Sequence, residues 1–377
     1  MEGQQPIRVA HIVGKMVGGG VEAFIMNYYR NIDRTKVQFD FIIDSDSKVV
    51  PREEIENMGG KIIEIPPYQK IFSYIKELKK ILNENKYKIV HSHLNSLSVF
   101  PLFAAYLAKV PVRIAHSHST TNKREWKKNI VKNILKPFSK VFATHYFACS
   151  EHAAKWLFGD KALKSGEVKI IHNAIDLKKF ESTEKIRERV RKSLNIENKF
   201  VLGHVGRFVE QKNHLFLIEI FNEVYKENNN AVLLLIGEGP LEEKIKEKIN
   251  EMKLQNCVYF LGIRNDVNEL MQAMDVFVFP SLYEGLGIVV VEAQCLKLNI
   301  VCSTEVPKEV DFSNRICFVD LNQNVDVWKK HIIDYKKDNY NKKINKEKMK
   351  FFDIKNEAKI YQKIINELYY YLEGETK

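Results

Sequence analysis

The chain has 377 residues, 45% of them hydrophobic and 28% charged, a globular composition whose length predicts two domains rather than one or three. No apolar run approaches the ~18 residues of a membrane span, no basic-then-apolar leader opens the chain, and the five cysteines form no CxxC pair. These features exclude a disulfide scaffold and predict reduced thiols in a cytoplasmic protein. The net charge of +11 is lopsided, with 29 Lys+Arg against 17 Asp+Glu in residues 1–180, leaving 30 against 31 in the rest.

In chain order, β-branched runs alternate with helical patterns. IRVAHIV (7–13), VQFDFII (37–43), KIIEI (61–65), YKIVHSH (87–93), VRIAHSH (112–118), FATHYFAC (142–149) and VKIIHN (168–173) are predicted strands of the first half. FVLGHVG (200–206), AVLLLIG (231–237), CVYFLG (257–262), VFVFPS (276–281) and LNIVCS (298–303) follow in the second. Near-continuous apolar strands alternating with helices predict parallel, doubly wound sheets. The fold class is therefore α/β, as two Rossmann-like domains, with a polar join near 174–198. The expected boundaries are 1–180 and 181–355, with an amphipathic C-terminal helix over 356–377. Ligands of such sheets bind at the carboxyl ends of strands, so the strand-end loops are where chemistry is expected.

After the first strand, Gly18, Gly19 and Gly20 make a flexible turn before a helix opening near Val21. Such a turn lets backbone N–H groups approach an anion, although it is neither GxGxxG nor a P-loop. DSD (44–46), which could hold a metal on a diphosphate, is read as a turn. His91/His93 and His116/His118 end two strands, and residues i and i+2 share a strand face, so four imidazoles can converge. Zinc is one reading, but no cysteine or carboxylate motif completes the set. The expectation is instead no metal, with His93, His116 and neighbouring Asn95 facing an acceptor hydroxyl. The stretch 123–140 carries seven cations over Trp126, Ile130, Ile134, Leu135 and Phe138 at helical spacing. That pattern suits an anionic membrane surface or an acidic ligand, with Lys123 and Arg124 assigned to the acceptor, or else a solvated helix with its stripe in the core.

In VGRFVEQKNH (205–214), Arg207 and Lys212 follow the strand ending near Gly206, a fork and a point charge suited to a diphosphate. In PSLYEGLGIVVVEAQC (280–295), a helix is expected to begin near Leu286 or Gly287, leaving the N–H groups of Leu286, Gly287 and Ile288 as unpaired donors. Glu284 lies on the turn and Glu292 inside the helix. Carboxylates beside a phosphate must serve something uncharged, and vicinal hydroxyls suit them. A nucleotide sugar supplies that sequence of groups, with Glu284 on the transferred sugar and Glu292 on the ribose. Structural pairing of these carboxylates with lysines is the competing reading.

With these residues in place, the chain resembles the retaining GT-B glycosyltransferases of family four, the "glycosyl transferases group 1" class. The resemblance spans nearly the full length and rests on GGVE (19–22), HNAIDLKKF (172–180), GRFVEQKN (206–213), GEGP (237–240), FLGIRNDV (260–267) and the glutamate-x7-glutamate segment. It implies two domains facing across a cleft, with the C-terminal helix packing back on the N-terminal domain. It implies donor contacts by Arg207, Lys212, Glu284, Leu286, Gly287 and Glu292, with Ile263 and Arg264 at the nucleobase and Gly19 and Gly20 facing the acceptor and the donor phosphates. His118 falls where the family has a histidine near the reacting centre. VPKEVD (306–311) and AHSHS (115–119) are similar to the bacterial exopolysaccharide and capsule subgroup. The implied partners are a nucleoside-diphosphate sugar, uridine by family frequency, a lipid-pyrophosphate-linked saccharide acceptor and the anionic inner leaflet. No cofactor, metal or nucleic acid is expected. A nucleotide-sugar 2-epimerase of the same fold, a sugar-nucleotide sensor and a basic nucleic-acid-binding protein are the alternatives. The last lacks aromatic–basic interleaving on any reader motif.

Overall fold

The computed structural model describes residues 5–118, 130, 133–337, 344–372 and 374. They form two compact units, residues 1–175 with 351–377 and residues 176–350. Unit 1 holds seven strands: β1 (Ile7–Gly14), β2 (Val37–Asp44), β3 (Lys61–Ile65), β4 (Ile89–Ser92), β5 (Val112–Ser117), β6 (His145–Ala148) and β7 (Val168–Ile170). Their order is β3-β2-β1-β4-β5-β6-β7, and every pairing is parallel. Unit 2 holds β8 (Phe200–Val205), β9 (Ala231–Ile236), β10 (Val258–Gly262), β11 (Val276–Phe279), β12 (Asn299–Ser303) and β13 (Ile316–Val319), in the order β10-β9-β8-β11-β12-β13, again all parallel. Each predicted strand is present. β13 is a finding of the structure: an edge strand of four apolar residues, mostly half-buried.

The helices that matter here are α1 (Gly20–Asn31), α2 (Val99–Leu107), α3 (His214–Glu227), α4 (Ile288–Cys295) and α5 (Ile354–Leu372). The last belongs to unit 1. Ile354, Ala358, Tyr361 and Ile365 recur at i, i+4, i+7 and i+11, one face of a helix. All four are buried in the core that holds Phe24, Tyr28, Phe39 and Ile114. Each buried isoleucine of that stripe contributes roughly 1.5–3 kcal/mol. The chain returns to unit 1 through paired backbone bonds, Ile175 N–H to Phe352 O and Ile354 N–H to Ile175 O, each at 3.0 Å.

Both sheets reverse their strand order once. The reversal separates β1 from β4 in unit 1 and β8 from β11 in unit 2. Crevices outside the carboxyl ends at such switch points are the ligand sites of open α/β sheets.

Candidate active site

At the switch point of unit 2, the loops after β8 and β11 are stitched together. Leu282 N–H donates to Gln211 O at 2.8 Å, Gln211 Nε2 to Tyr283 O at 3.0 Å, and Asn213 Nδ2 to Pro280 O at 3.1 Å. Asn213 can do so because it sits in the left-handed region, φ 57°, which asparagine tolerates. These bonds carry Lys212 to Glu284: Nζ meets Oε1 at 2.6 Å and lies 4.7 Å above the Phe279 ring. Both members of the pair are shielded from solvent. Arg207, by contrast, is exposed and has no ion-pair partner among the described residues. The GEGP turn lies directly against this loop. A Cβ on Gly239 would crowd the backbone of Phe208, and Gly237 has φ 131°.

Helix α4 opens at Ile288, with Gly287 as its cap at φ 84°. The amides of Gly287, Ile288 and Val289 stand where no intrahelical acceptor exists. Glu292, in the second turn, is half-buried, and its carboxyl has no hydrogen bond or ion pair among the described residues. Desolvation pushes its carboxyl up to about 8. A carboxyl in that condition gains from a hydroxyl donor. Behind the loop, His204 donates Nδ1–H to Val278 O at 2.9 Å and packs against His214 at 4.6 Å. Burial holds these two rings neutral, pushed down to about 4 and about 2.

At the switch point of unit 1, five imidazoles meet. Register pairs His11 with His91, and the i, i+2 rule adds His93, His116 and His118 on the same face. His11 Nδ1 and His93 Nε2 share a hydrogen bond at 2.9 Å, and His93 Nδ1 and His118 Nε2 another at 2.8 Å. His91 Nε2 bonds His116 Nδ1, and His91 Nδ1 bonds the Tyr361 hydroxyl, each at 2.9 Å. Phe24 of α1 covers His116 and His118 with its ring 5.1 and 5.0 Å away. Desolvation keeps all five neutral, His11 and His118 at about 3 and the others well below their ordinary value. Ring nitrogens of His11, His91 and His93, and of His93, His116 and His118, approach within 4.8 Å, so either trio could hold a metal. Among the described residues those nitrogens bond chiefly to one another.

Residues 186–351 match the family described as Glycosyl transferases group 1, and residues 18–179 match Glycosyltransferase Family 4. EpsF of Bacillus subtilis, named as a glycosyltransferase, is 34% identical over 328 residues, 85% of each chain. The chain belongs to this glycosyltransferase family. The UDP-Gal:alpha-D-GlcNAc-diphosphoundecaprenol alpha-1,3-galactosyltransferase of Escherichia coli is 26% identical over 79% of each chain. Anabaena HepE, solved with UDP and glucose, shares the fold, with a TM-score of 0.74, 17% identity and 94% of each chain covered.

Measured against this glycosyltransferase's structure, several sequence expectations need correction. The anion reading of the glycine turn is one: the Glu22 carboxylate already takes the N–H groups of Gly19 at 3.1 Å and Val17 at 2.8 Å. Gly20 remains open, with nothing within 4 Å of where a Cβ would stand. His93 and His116 do not face outward to an acceptor; they are interior links, 2% and 0% exposed. Asn95 Oδ1 accepts the His118 backbone N–H at 2.6 Å and so sets that strand end. For Glu284, pairing with a lysine, the competing reading, is what the structure shows; Glu292 has no such partner. Arg264 is clamped to Asp266 by two bonds of 2.7 Å, beside the exposed Ile263. Leu286 is buried, and the DSD segment is a turn closed by Ser47 Oγ on Asp44 O. Lys123 and Arg124 lie outside the described residues. His11, His204, His214 and Tyr361 escaped the sequence reading; the signal for His11 was a lone histidine inside an apolar strand.

Proposed function

We propose that this glycosyltransferase is a retaining, metal-independent enzyme moving a sugar from a UDP-sugar to a lipid-pyrophosphate-linked acceptor in bacterial capsule or exopolysaccharide synthesis. The observation that carries the reading is the unit 2 switch point. There the Lys212–Glu284 pair joins the loop that also carries the exposed Arg207, and the half-buried Glu292 carboxyl of α4 has no partner among the described residues. Arg207, Lys212 and the amides opening α4 hold the donor diphosphate. An ammonium has three donors, so Lys212 keeps Glu284 with one and offers another to a phosphate oxygen. Glu284, fixed by that pair, accepts from the transferred sugar, Glu292 accepts from the ribose, and Ile263 and Arg264 border the base.

Charge developing on the leaving diphosphate is stabilised by these fixed donors. The acceptor hydroxyl attacks the anomeric carbon on the face the diphosphate leaves, the carbon–oxygen bond to phosphate breaks, and the leaving phosphate takes the hydroxyl proton. Of the two carboxylates assigned to the donor at this switch point, Glu284 is paired with Lys212 and Glu292 lies inside α4, which favours this route over a covalent intermediate. His118 orients a reacting hydroxyl. The E. coli relative, named for UDP-Gal and a diphosphoundecaprenol-linked acceptor, supports both substrate classes. A peripheral position on the inner leaflet is supported by exposed Ile130, Ile134, Phe138 and Val141 among the basic residues of unit 1. No described helix is long and apolar enough to cross a membrane.

The test is calorimetric titration of UDP, GDP and ADP with EDTA present. It is followed by NMR of the product formed with a polyprenyl-diphosphate-linked sugar. UDP binding without metal and a product of the donor's anomeric configuration are expected. Binding only after metal is restored, or an inverted product, would sink the reading.

A further inference from the structure

The histidine network obeys a proton count that fixes more than any single hydrogen bond does. A neutral imidazole has one N–H and one lone pair. His11, His93 and His118 are joined in series by two bonds, Nδ1 to Nε2 and Nδ1 to Nε2. Of their three N–H groups, two lie in those bonds. The third sits at one end, on His11 Nε2 or His118 Nδ1, both buried and without a partner among the described residues.

If His118 Nδ1 carries the proton, His118 Nε2 must accept from His93 Nδ1–H, and His93 Nε2 must then accept from His11 Nδ1–H. If His11 Nε2 carries it, every bond reverses. The three rings therefore share one tautomer. The second series, His116–His91–Tyr361, follows the same rule with a hydroxyl at its end. Passing from one form to the other requires a proton to leave at one end and enter at the other. An added proton alone would create a buried cation, which is costly. The series is built to orient hydrogen bonds, not to carry net charge.

Orphaned buried donors are rarer than under-satisfied acceptors, and this chooses between the forms. His11 Nε2 is enclosed by unit 1, with the ring 4.0 Å from Phe39. His118, one residue past the end of β5, is the less enclosed of the two, 8% exposed against 1% for His11, with its Nδ1 itself buried. We propose that His11, which touches no substrate, is a positioning residue: through His93 it fixes His118 as the Nδ1–H tautomer, so that His118 donates to a substrate oxygen. The relay stands on its own geometry; its role in turnover rests on the reading above that His118 meets a reacting hydroxyl.

Long-range proton–nitrogen NMR of untagged, nitrogen-15-histidine-labelled protein reads the tautomers without any substrate. The expected result is Nδ1–H for His11, His93 and His118 together. Differing tautomers among the three, Nε2–H at His118, or stoichiometric metal in the same sample by elemental analysis would each overturn the relay. Activity then tests the role. H11F removes the link, whereas in H11N the side-chain amide can donate from the place of Nδ1. H11F should lower kcat by up to about tenfold at unchanged donor KM, the scale of one hydrogen bond, and H11N should restore it. Wild-type kcat in a folded H11F variant would overturn the positioning role even with the tautomers as stated. Absence of transfer by the wild type would instead overturn the functional reading and leave the tautomer result intact. Should H11F fail to fold, the wild-type spectrum still decides the relay.

Discussion

Lowering the pH from 7.5 to 5.5 should destabilise unit 1 far more than unit 2, by an amount that can be counted in protons. Five histidines of unit 1 and two of unit 2 are held neutral by burial. His11 and His118 are pushed to about 3, His204 to about 4 and His214 to about 2, with His91, His93 and His116 well below their ordinary value. At pH 5.5 an unfolded histidine is about nine-tenths protonated, so unfolding draws protons in. Two carboxyls act in the opposite sense: Asp44 is pushed up to about 6 and Glu292 up to about 8, chiefly by desolvation. Each holds a proton in the fold that it releases on unfolding. With these included, unit 1 takes up about four protons and unit 2 about one. The unfolded state binds more protons, so stability rises with pH and is lost on acidification, starting near 6.5. Four protons correspond to roughly 5 kcal/mol per pH unit, comparable with the whole stability of a domain, about 5–15 kcal/mol. Calorimetry and urea denaturation between pH 7.5 and 5.5 give the slope directly. An uptake of one proton or less by the more acid-sensitive transition would refute a neutral histidine network.

Lys212→Ala should lower turnover by at least ~100-fold, the scale for losing one fixed donor at a developing charge; wild-type-like rates would remove Lys212 from the chemistry. Ribose hydroxyls donating to Glu292 favour its ionised form, so its pKa falls from about 8 on nucleotide binding. Near pH 7 up to about one proton is released, and binding heats should differ between phosphate and Tris buffers; identical heats would count against the contact. Gly203→Ala drives a Cβ into the buried side chain of Met274 and should cost about 1–3 kcal/mol. Its melting temperature should drop while UDP affinity, measured by titration, stays put. Replacing Ile134 and Phe138, 60% and 50% exposed, with glutamate should weaken binding to anionic vesicles by at least ~10-fold. Flotation indifferent to anionic lipid in the unmodified protein would end the membrane proposal.

The parallel strands were legible because a strand covered on both faces needs an unbroken apolar run, and AVLLLI at β9 is one, buried throughout. The placement of Arg207, Lys212 and Glu284 on the loops after β8 and β11 was legible, since each follows an apolar run that stops at a glycine or a proline. Periodicity over 356–377 showed an amphipathic helix, and only the resemblance implied that it covers the N-terminal domain. Packing alone placed Tyr361 on His91. Sequence left open whether Glu284 was paired or waiting, because Lys212 lies 72 positions away and meets it only through the loop-to-loop bonds of Gln211 and Asn213. The glycine turn showed its flexibility; that Glu22 folds back onto its amides depended on side-chain geometry. His11 makes the division plainest. A lone histidine in an apolar strand carries no address, because strand order and register are long-range properties set by which faces bury together. Only the parallel pairing of β1 with β4, bringing His11 beside His91, added it to the four histidines that end β4 and β5.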